Sequence, residues 1–340
     1  MIPHPARNCQ TIGWQQALAR AIRNPAELLA LLDLPASLLP AARQAAAQFP
    51  LRVTHSYLAQ IKKGDPHDPL LRQVLPLGEE QAPCEGFSQD PVGDLDAMPV
   101  PGLLHKYAGR VLLVTTGACA IHCRYCFRRH FPYAEANPAS TDWQAALDYI
   151  AADASVSEVI LSGGDPLSLS DSRLAALVGR LAAIPHLKRL RLHTRLPVVL
   201  PERVDPALVD WLGNCALQTI MVIHVNHANE VSQAVRDALG RLRGCGVSLL
   251  NQSVLLRGVN DNLPTLAALS EALFAHGVLP YYLHQLDRVQ GAAHFAVSDS
   301  EARRLLHALR ETLPGYMVPQ LVRDQPGQTA KIPLESLKLV

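Results

Sequence analysis

From about residue 111 onward the chain alternates between two hydrophobic periods, and this limits its fold more than any other feature. The runs Val111–Thr116, Val159–Ser162, Arg189–Thr194, Thr219–His224, Val247–Gln252 and Val278–His284 read as six strands. Helical patterns lie between them, at Asp171–Ile184, Gln233–Arg243 and Leu266–His276 among others. Six βα units in order call for right-handed crossovers and a parallel α/β sheet, with every strand's C-terminal end on one side. Thr141-Asp-Trp-Gln144 and Ser298-Asp-Ser-Glu301 predict capping boxes that open helices. Residues 1–95 read as a helical, proline-punctuated region, residues 96–295 as the α/β unit, and residues 296–340 as a helix and tail. In the first region Asn24-Pro25-Ala26-Glu27 is a helix start, followed by an apolar face of Leu28, Leu29, Leu31 and Leu32. The acidic, turn-rich stretch 78–93 reads as a connection, with Cys84 an incidental thiol.

At 49% hydrophobic, 340 residues can bury a large core, and a formal charge of +1 argues against a general nucleic-acid or acidic-membrane binder. No apolar run approaches the roughly 18 residues of a membrane span, and the first residues lack the regions of a signal peptide. Seven cysteines, three of them clustered, do not read as a disulfide framework. A reducing cytoplasm is the expected location.

The clustered three, in Cys119-Ala-Ile-His-Cys123-Arg-Tyr-Cys126, sit just past the first strand. Thiolates are the usual ligands of iron–sulfur clusters, and three from one loop leave one iron of a cubane open. The blander reading is zinc, with His122 or His130 as fourth ligand; structural zinc normally takes two ligand pairs, and no second pair follows downstream. Ser162-Gly163-Gly164-Asp165-Pro166 follows the second strand, where glycines admit a ligand to the backbone and Asp165 can accept from an ammonium, although such a motif is often only a turn. His224-Val-Asn226-His227 and Asn251-Gln252-Ser253 read as polar ends of the fourth and fifth strands.

The cysteine loop resembles the C-x3-C-x2-C signature of the radical S-adenosylmethionine (SAM) family. That resemblance implies a partial (β/α)6 TIM-like barrel, and a [4Fe–4S] cluster on Cys119, Cys123 and Cys126 whose open iron chelates SAM. It implies that Gly163, Gly164 and Asp165 hold the amino group of SAM. His224 and Gln252 match SAM-contacting positions of the lysine 2,3-aminomutases within that family. Asp324-Gln-Pro-Gly-Gln-Thr-Ala-Lys331-Ile-Pro333 resembles the aminomutase segment whose lysine links covalently to pyridoxal 5′-phosphate (PLP). Only Gly327 remains of a longer glycine run, but the spacing from acid to lysine is retained; a solvated tail lysine is the bland alternative. Lys106 and Arg110 match contacts to the PLP phosphate, with Lys106 replacing an arginine. Arg128 matches the residue that grips the substrate carboxylate, and Asp287 and Asp324 those that receive its distant ammonium. Against these stand a loop that is merely basic through Arg124, Arg128 and Arg129, and an Asp287 paired on the surface with Arg288 or Lys331.

Further segments, among them Val100–Tyr107, Cys126–Glu135, Asn226–Glu230 and Leu286–Phe295, resemble the aminomutase branch that makes (R)-β-lysine for translation elongation factor P. The branch implies L-lysine as substrate, an electron donor such as flavodoxin or ferredoxin, and a functional link to elongation factor P and its β-lysine ligase. Relatives that degrade lysine carry a longer C-terminal extension, whereas here nine residues follow Lys331. The competing readings are a free-lysine aminomutase of catabolism or secondary metabolism, an RNA-modifying radical SAM enzyme, and a non-catalytic iron–sulfur or zinc protein.

Overall fold

Strands rich in Val, Ile and Leu pair edge to edge and expose two faces, so a parallel sheet needs cover on both. The computed structural model describes residues 13–136 and 143–336 and supplies that cover asymmetrically, with helices outside and a polar cavity inside. Its strands are β1 (Leu103–Tyr107), β2 (Arg110–Thr116), β3 (Glu158–Gly163), β4 (Arg189–Thr194), β5 (Gln218–Ile223), β6 (Ser248–Leu255), β7 (Leu279–Gln285), β8 (Gln320–Arg323) and β9 (Ile332–Pro333), side by side in that order. Strands β2 to β8 run parallel, while β1 and β9 close the two edges antiparallel. The six expected strands are all present. Three more lie outside the expected six: β1 just before the first of them, and β8 and β9, of four and two residues, after the last. The first and last strands do not pair with each other, so the barrel is partial.

Period-two patterning shows how one strand serves both layers. Along β4, Leu190, Leu192 and Thr194 are buried, while Arg191 and His193 alternate with them and line the cavity. The helix Asp171–Ala182 covers the outer face with Leu174, Leu177, Val178 and Leu181, at i, i+3, i+4 and i+7. Ser170 caps that helix through the Arg173 amide at 3.4 Å, and Ser298 caps Asp299–Thr312 through Glu301 at 3.2 Å. The other expected cap, Thr141, lies outside the described residues, and its helix runs Gln144–Ala152.

The N-terminal helices start as their sequence indicates: Asn24 Oδ1 accepts from the Ala26 amide at 2.9 Å and the helix runs Pro25–Leu31. Leu28, Leu29 and Leu32 are buried, and Leu31 is exposed. Trp14, Ile22, Leu51, Val53, Tyr57 and Leu70 join the same hydrophobic cluster as Leu113, Leu161 and Leu190, so this region shares its core with the barrel. Among the described residues no helix is long and apolar enough to cross a membrane.

Candidate active site

The loop after β2 is pinned by the N-terminal layer. The Arg124 side chain is fully buried, makes a two-pronged pair with Glu80, and donates through Nη1 to the Phe49 carbonyl at 2.7 Å. Arg129 donates to the same Glu80 at 2.8 Å and to the Gly291 carbonyl at 3.0 Å. Both guanidiniums lie over the Phe49 ring. Buried charges are tolerated only when paired in this way. The stretch expected as a plain connection therefore supplies a buried carboxylate that clamps the cysteine loop; only Cys84 is as incidental as it looked, exposed and free.

His122 Nδ1 meets the Pro50 carbonyl at 2.8 Å and His130 Nε2 the Gln290 carbonyl at 3.1 Å. Each contact orients the ring through one of its nitrogens. Cys119, Cys123 and Cys126 are free thiols on the cavity wall. Burial first, and then the neighbouring thiol of Cys126, pushes Cys119 well above the usual range; burial and Cys123 push Cys126 up to about 11. Positive charge at this loop would relieve both effects.

The cavity holds about 680 Å³ and collects side chains from Leu104 in β1 to Lys331 just before β9. Register explains one meeting in it. Arg323 pairs with Ile332 across β8 and β9, so the next residues outward, Asp324 and Lys331, face each other. Lys331 Nζ donates to Asp324 Oδ2 at 2.7 Å, and the Tyr107 hydroxyl donates to Oδ1 at 2.9 Å. Lys331 is thus neither a solvated tail residue nor the partner of Asp287. Asp287 is half-buried, with Oδ1 sealed from solvent and lacking a partner among the described residues. Burial pushes its carboxyl up to about 7 against the opposing pull of Lys331.

Also on the wall, Asp94 stands between two cations, Lys106 Nζ at 2.6 Å and Arg128 Nε at 2.7 Å. Burial acts to raise its carboxyl, but Arg128 and Lys106 together hold it below the ordinary range. Lys106 also donates to the Val92 carbonyl at 2.7 Å, so two of its three protons are spent inside the protein. Arg128 gives Nη1 to Ser162 at 3.3 Å and, among the described residues, has no partner for Nη2. Arg110 lies 4.7 Å from the centre of the Tyr107 ring, with no carboxylate partner among the described residues. Two cations on one carboxylate, with Arg110 unpaired by any carboxylate among the described residues, suit an anionic ligand.

Gly163 and Gly164 are needed first by the chain's own backbone. A Cβ on Gly163 (φ +113°) would stand 2.7 Å from the Thr116 carbonyl, and one on Gly164 would collide with the Ala118 carbonyl. The amides of Gly164 and Asp165 donate to those two carbonyls at 2.7 and 2.8 Å, stitching the end of β3 to the cysteine loop. Asp165, expected to accept from an ammonium, is already filled: Thr194 Oγ1 and the amides of Leu167, Arg195 and Leu196 donate to it at 2.7 to 3.1 Å. It anchors the ends of β3 and β4. Burial outweighs these donors and pushes its carboxyl up to about 6. His224 follows β5 and lies 2.8 Å from the Gln252 amide nitrogen, both on the cavity wall. Gln252 falls inside β6, which runs three residues past its expected end, just after a register irregularity against β7.

Residues 113–268 match the model of the Radical SAM superfamily. An L-lysine 2,3-aminomutase of Escherichia coli is 53% identical over 323 residues, covering 95% of this chain and 94% of that protein. An L-lysine 2,3-aminomutase of Haemophilus influenzae is 48% identical over 318 residues, covering 94% of each. This chain belongs to the radical SAM lysine 2,3-aminomutase family. Among solved structures, a radical SAM methyltransferase from Sphaerobacter thermophilus is similar at a TM-score of 0.44 and 17% identity, covering 65% of this chain and 68% of that one.

Family membership assigns an isomerase that uses a [4Fe–4S] cluster and SAM, and the cavity fits such groups. Five buried polar atoms of residues on its wall, Asp287 Oδ1, Arg129 Nε, Arg195 Nε, His193 Nε2 and His284 Nε2, have no partner among the described residues. Orphans of this kind are costly unless a ligand meets them. Burial keeps both histidines neutral. Sequence reasoning missed Glu80, Asp94, His193 and Arg195. Of these only His193 left a signal, a polar residue at an inward position of an alternating strand.

Proposed function

We propose that this aminomutase uses PLP on Lys331 and converts L-lysine to (R)-β-lysine for the modification of elongation factor P. The observation that carries the reading is one cavity shared by three free thiols, an amine held by Asp324, and an Asp287 carboxylate whose Oδ1 has no partner among the described residues. When bound, the cluster and SAM supply a carbon-centred radical, and PLP supplies a conjugated ring through which an amino group passes between adjacent carbons.

The chain's own residues bind, orient and exclude water. Cys119, Cys123 and Cys126 hold the cluster; Gly163 and Gly164, with His224 and Gln252, form the wall toward SAM. Arg110, helped by the remaining proton of Lys106, faces the phosphate. Arg128 offers Nη2 to the substrate carboxylate while Asp94 fixes its plane. Asp324 serves Lys331 in the free protein; were that amine linked to PLP, Asp324 would be left to join Asp287 in a two-carboxylate receptor for the ε-ammonium. The branch assignment rests on the segments that resemble the elongation-factor enzymes, and flavodoxin or ferredoxin in a reducing cytoplasm is the matching electron source.

The test is anaerobic reconstitution with PLP, SAM, a strong reductant and L-lysine, followed by chiral separation. (R)-β-lysine is expected. (S)-β-lysine would favour a free-lysine metabolic enzyme, and SAM cleavage without β-lysine would mean another substrate.

The Asp287 carboxyl, raised to about 7 by burial, gives this receptor a pH dependence. Charged above that value, it attracts the ammonium; as pH falls through 7 it protonates and the attraction is lost. KM for lysine should therefore rise by up to about tenfold per pH unit below 7. Asp287→Asn should flatten this dependence and weaken lysine at pH 8 by about 2–3 kcal/mol, roughly 30- to 150-fold. Norleucine, which lacks the ε-amine, should be affected far less in a competition assay. Equal losses for both ligands would end the role of Asp287 as ammonium receptor.

A further inference from the structure

Arg195, the first residue past β4, is 5% exposed and is held through its backbone amide and both terminal guanidinium nitrogens. Asp165 fixes its backbone amide at 2.8 Å. Gln73 Oε1 and Glu230 Oε2 accept from Nη2 at 2.7 and 2.8 Å. Nη1 donates to the Tyr125 hydroxyl at 2.8 Å and, at the same distance, to Cys123 Sγ. The last contact stands apart: a permanent cation is hydrogen-bonded to one of the three cysteine sulfurs. Glu230 in turn accepts from Gln73 Nε2 and from the amides of Asn226 and His227, so its charge is pinned as firmly as that of the arginine.

We propose that Arg195 is a positioning residue that sets the reduction potential of the cluster by donating an N–H···S hydrogen bond to Cys123, with Glu230 as its counter-charge. The inference rests on the assignment of the cluster to Cys119, Cys123 and Cys126. Reduction adds one negative charge to the cluster, part of which resides on the ligand sulfurs. A cation bonded to one sulfur stabilises the reduced form more than the oxidised form and raises the potential. Glu230, one step further away, tempers the effect. Because Tyr57, Gln73 and Arg195 lie in one buried hydrogen-bonded set, the N-terminal layer is part of this device.

The test is an EPR-monitored redox titration of the reconstituted full chain without SAM, for wild type, Arg195→Gln and Glu230→Gln. At the wild-type midpoint, Arg195→Gln should hold about tenfold less reduced relative to oxidised cluster, equivalent to a downward shift of about 59 mV for one electron. Glu230→Gln should shift the ratio the other way, by roughly threefold, since its charge is more distant. Opposite shifts at full iron content support the proposal, because a merely structural disturbance has no reason to reverse sign. Unmoved potentials, or shifts in one direction, overturn it. Should Arg195→Gln fail to hold iron, Glu230→Gln decides alone: an upward shift supports the proposal, and no shift or a downward one overturns it. Absence of a cluster signal from the wild-type protein would instead refute the cysteine assignment beneath it.

Discussion

Cys126→Ala is expected to yield a folded chain that assembles no stable cluster and cleaves no SAM. A cubane held by three thiolates loses one of its three protein ligands, and no further cysteine follows in this loop. Iron should fall from about four atoms per chain to near none, and turnover to background. The fold should survive, since the thiol is half-buried and the loop is held by Arg124, Arg129 and Glu80 rather than by Cys126. A change within about 1 kcal/mol is typical for a substitution that touches no such network. Iron analysis, SAM cleavage and thermal unfolding of the cluster-free protein check the three statements together. Full iron with retained SAM cleavage would remove the central assignment.

Lys331→Ala is the second large effect. The cluster should assemble and SAM cleavage should persist, while covalent PLP is lost and lysine turnover falls by at least roughly a thousandfold. The size follows from placement, since fixing a reacting amine beside its partner is worth effective molarities of about 10^5 M or more. Borohydride reduction followed by peptide mass spectrometry should label Lys331 in the wild type and nothing in the variant; stoichiometric labelling of the variant would mean another lysine holds the cofactor. The Lys331–Asp324 pair is mostly shielded, so its loss should also cost on the order of 1 kcal/mol in the cofactor-free protein. Tyr107 remains to hold the freed carboxylate.

The parts legible in the sequence share one property: each is encoded by neighbours along the chain. The six long strands and their helices follow from local periodicity, the helix starts at Asn24 and Ser298 from a side chain two or three residues before the amide it caps. The cysteine loop follows from spacing alone. At Gly163 and Gly164 the tight approach is made by residues 116 and 118, which the spacing of the motif does not show. The C-terminal segment was legible only by resemblance. Strands of four and two residues carry no periodicity, and their register depends on β7 having already formed.

By itself, then, the sequence determined the order of βα units, the sulfur-ligand loop and the residue types that could serve two cofactors and a lysine substrate, since local patterns and short spacings suffice for these. Tertiary structure alone decided which charges meet. Glu80 reaches Arg124 across 44 positions, Asp94 reaches Arg128 across 34, and Gln73 reaches Arg195 across 122. A carboxylate on a turn looks the same in sequence whether it is solvated or sealed beneath a cluster loop. Only when the strands curve and bring their ends around one cavity does low-polarity burial make each unpaired charge costly, and that cost selects the partners.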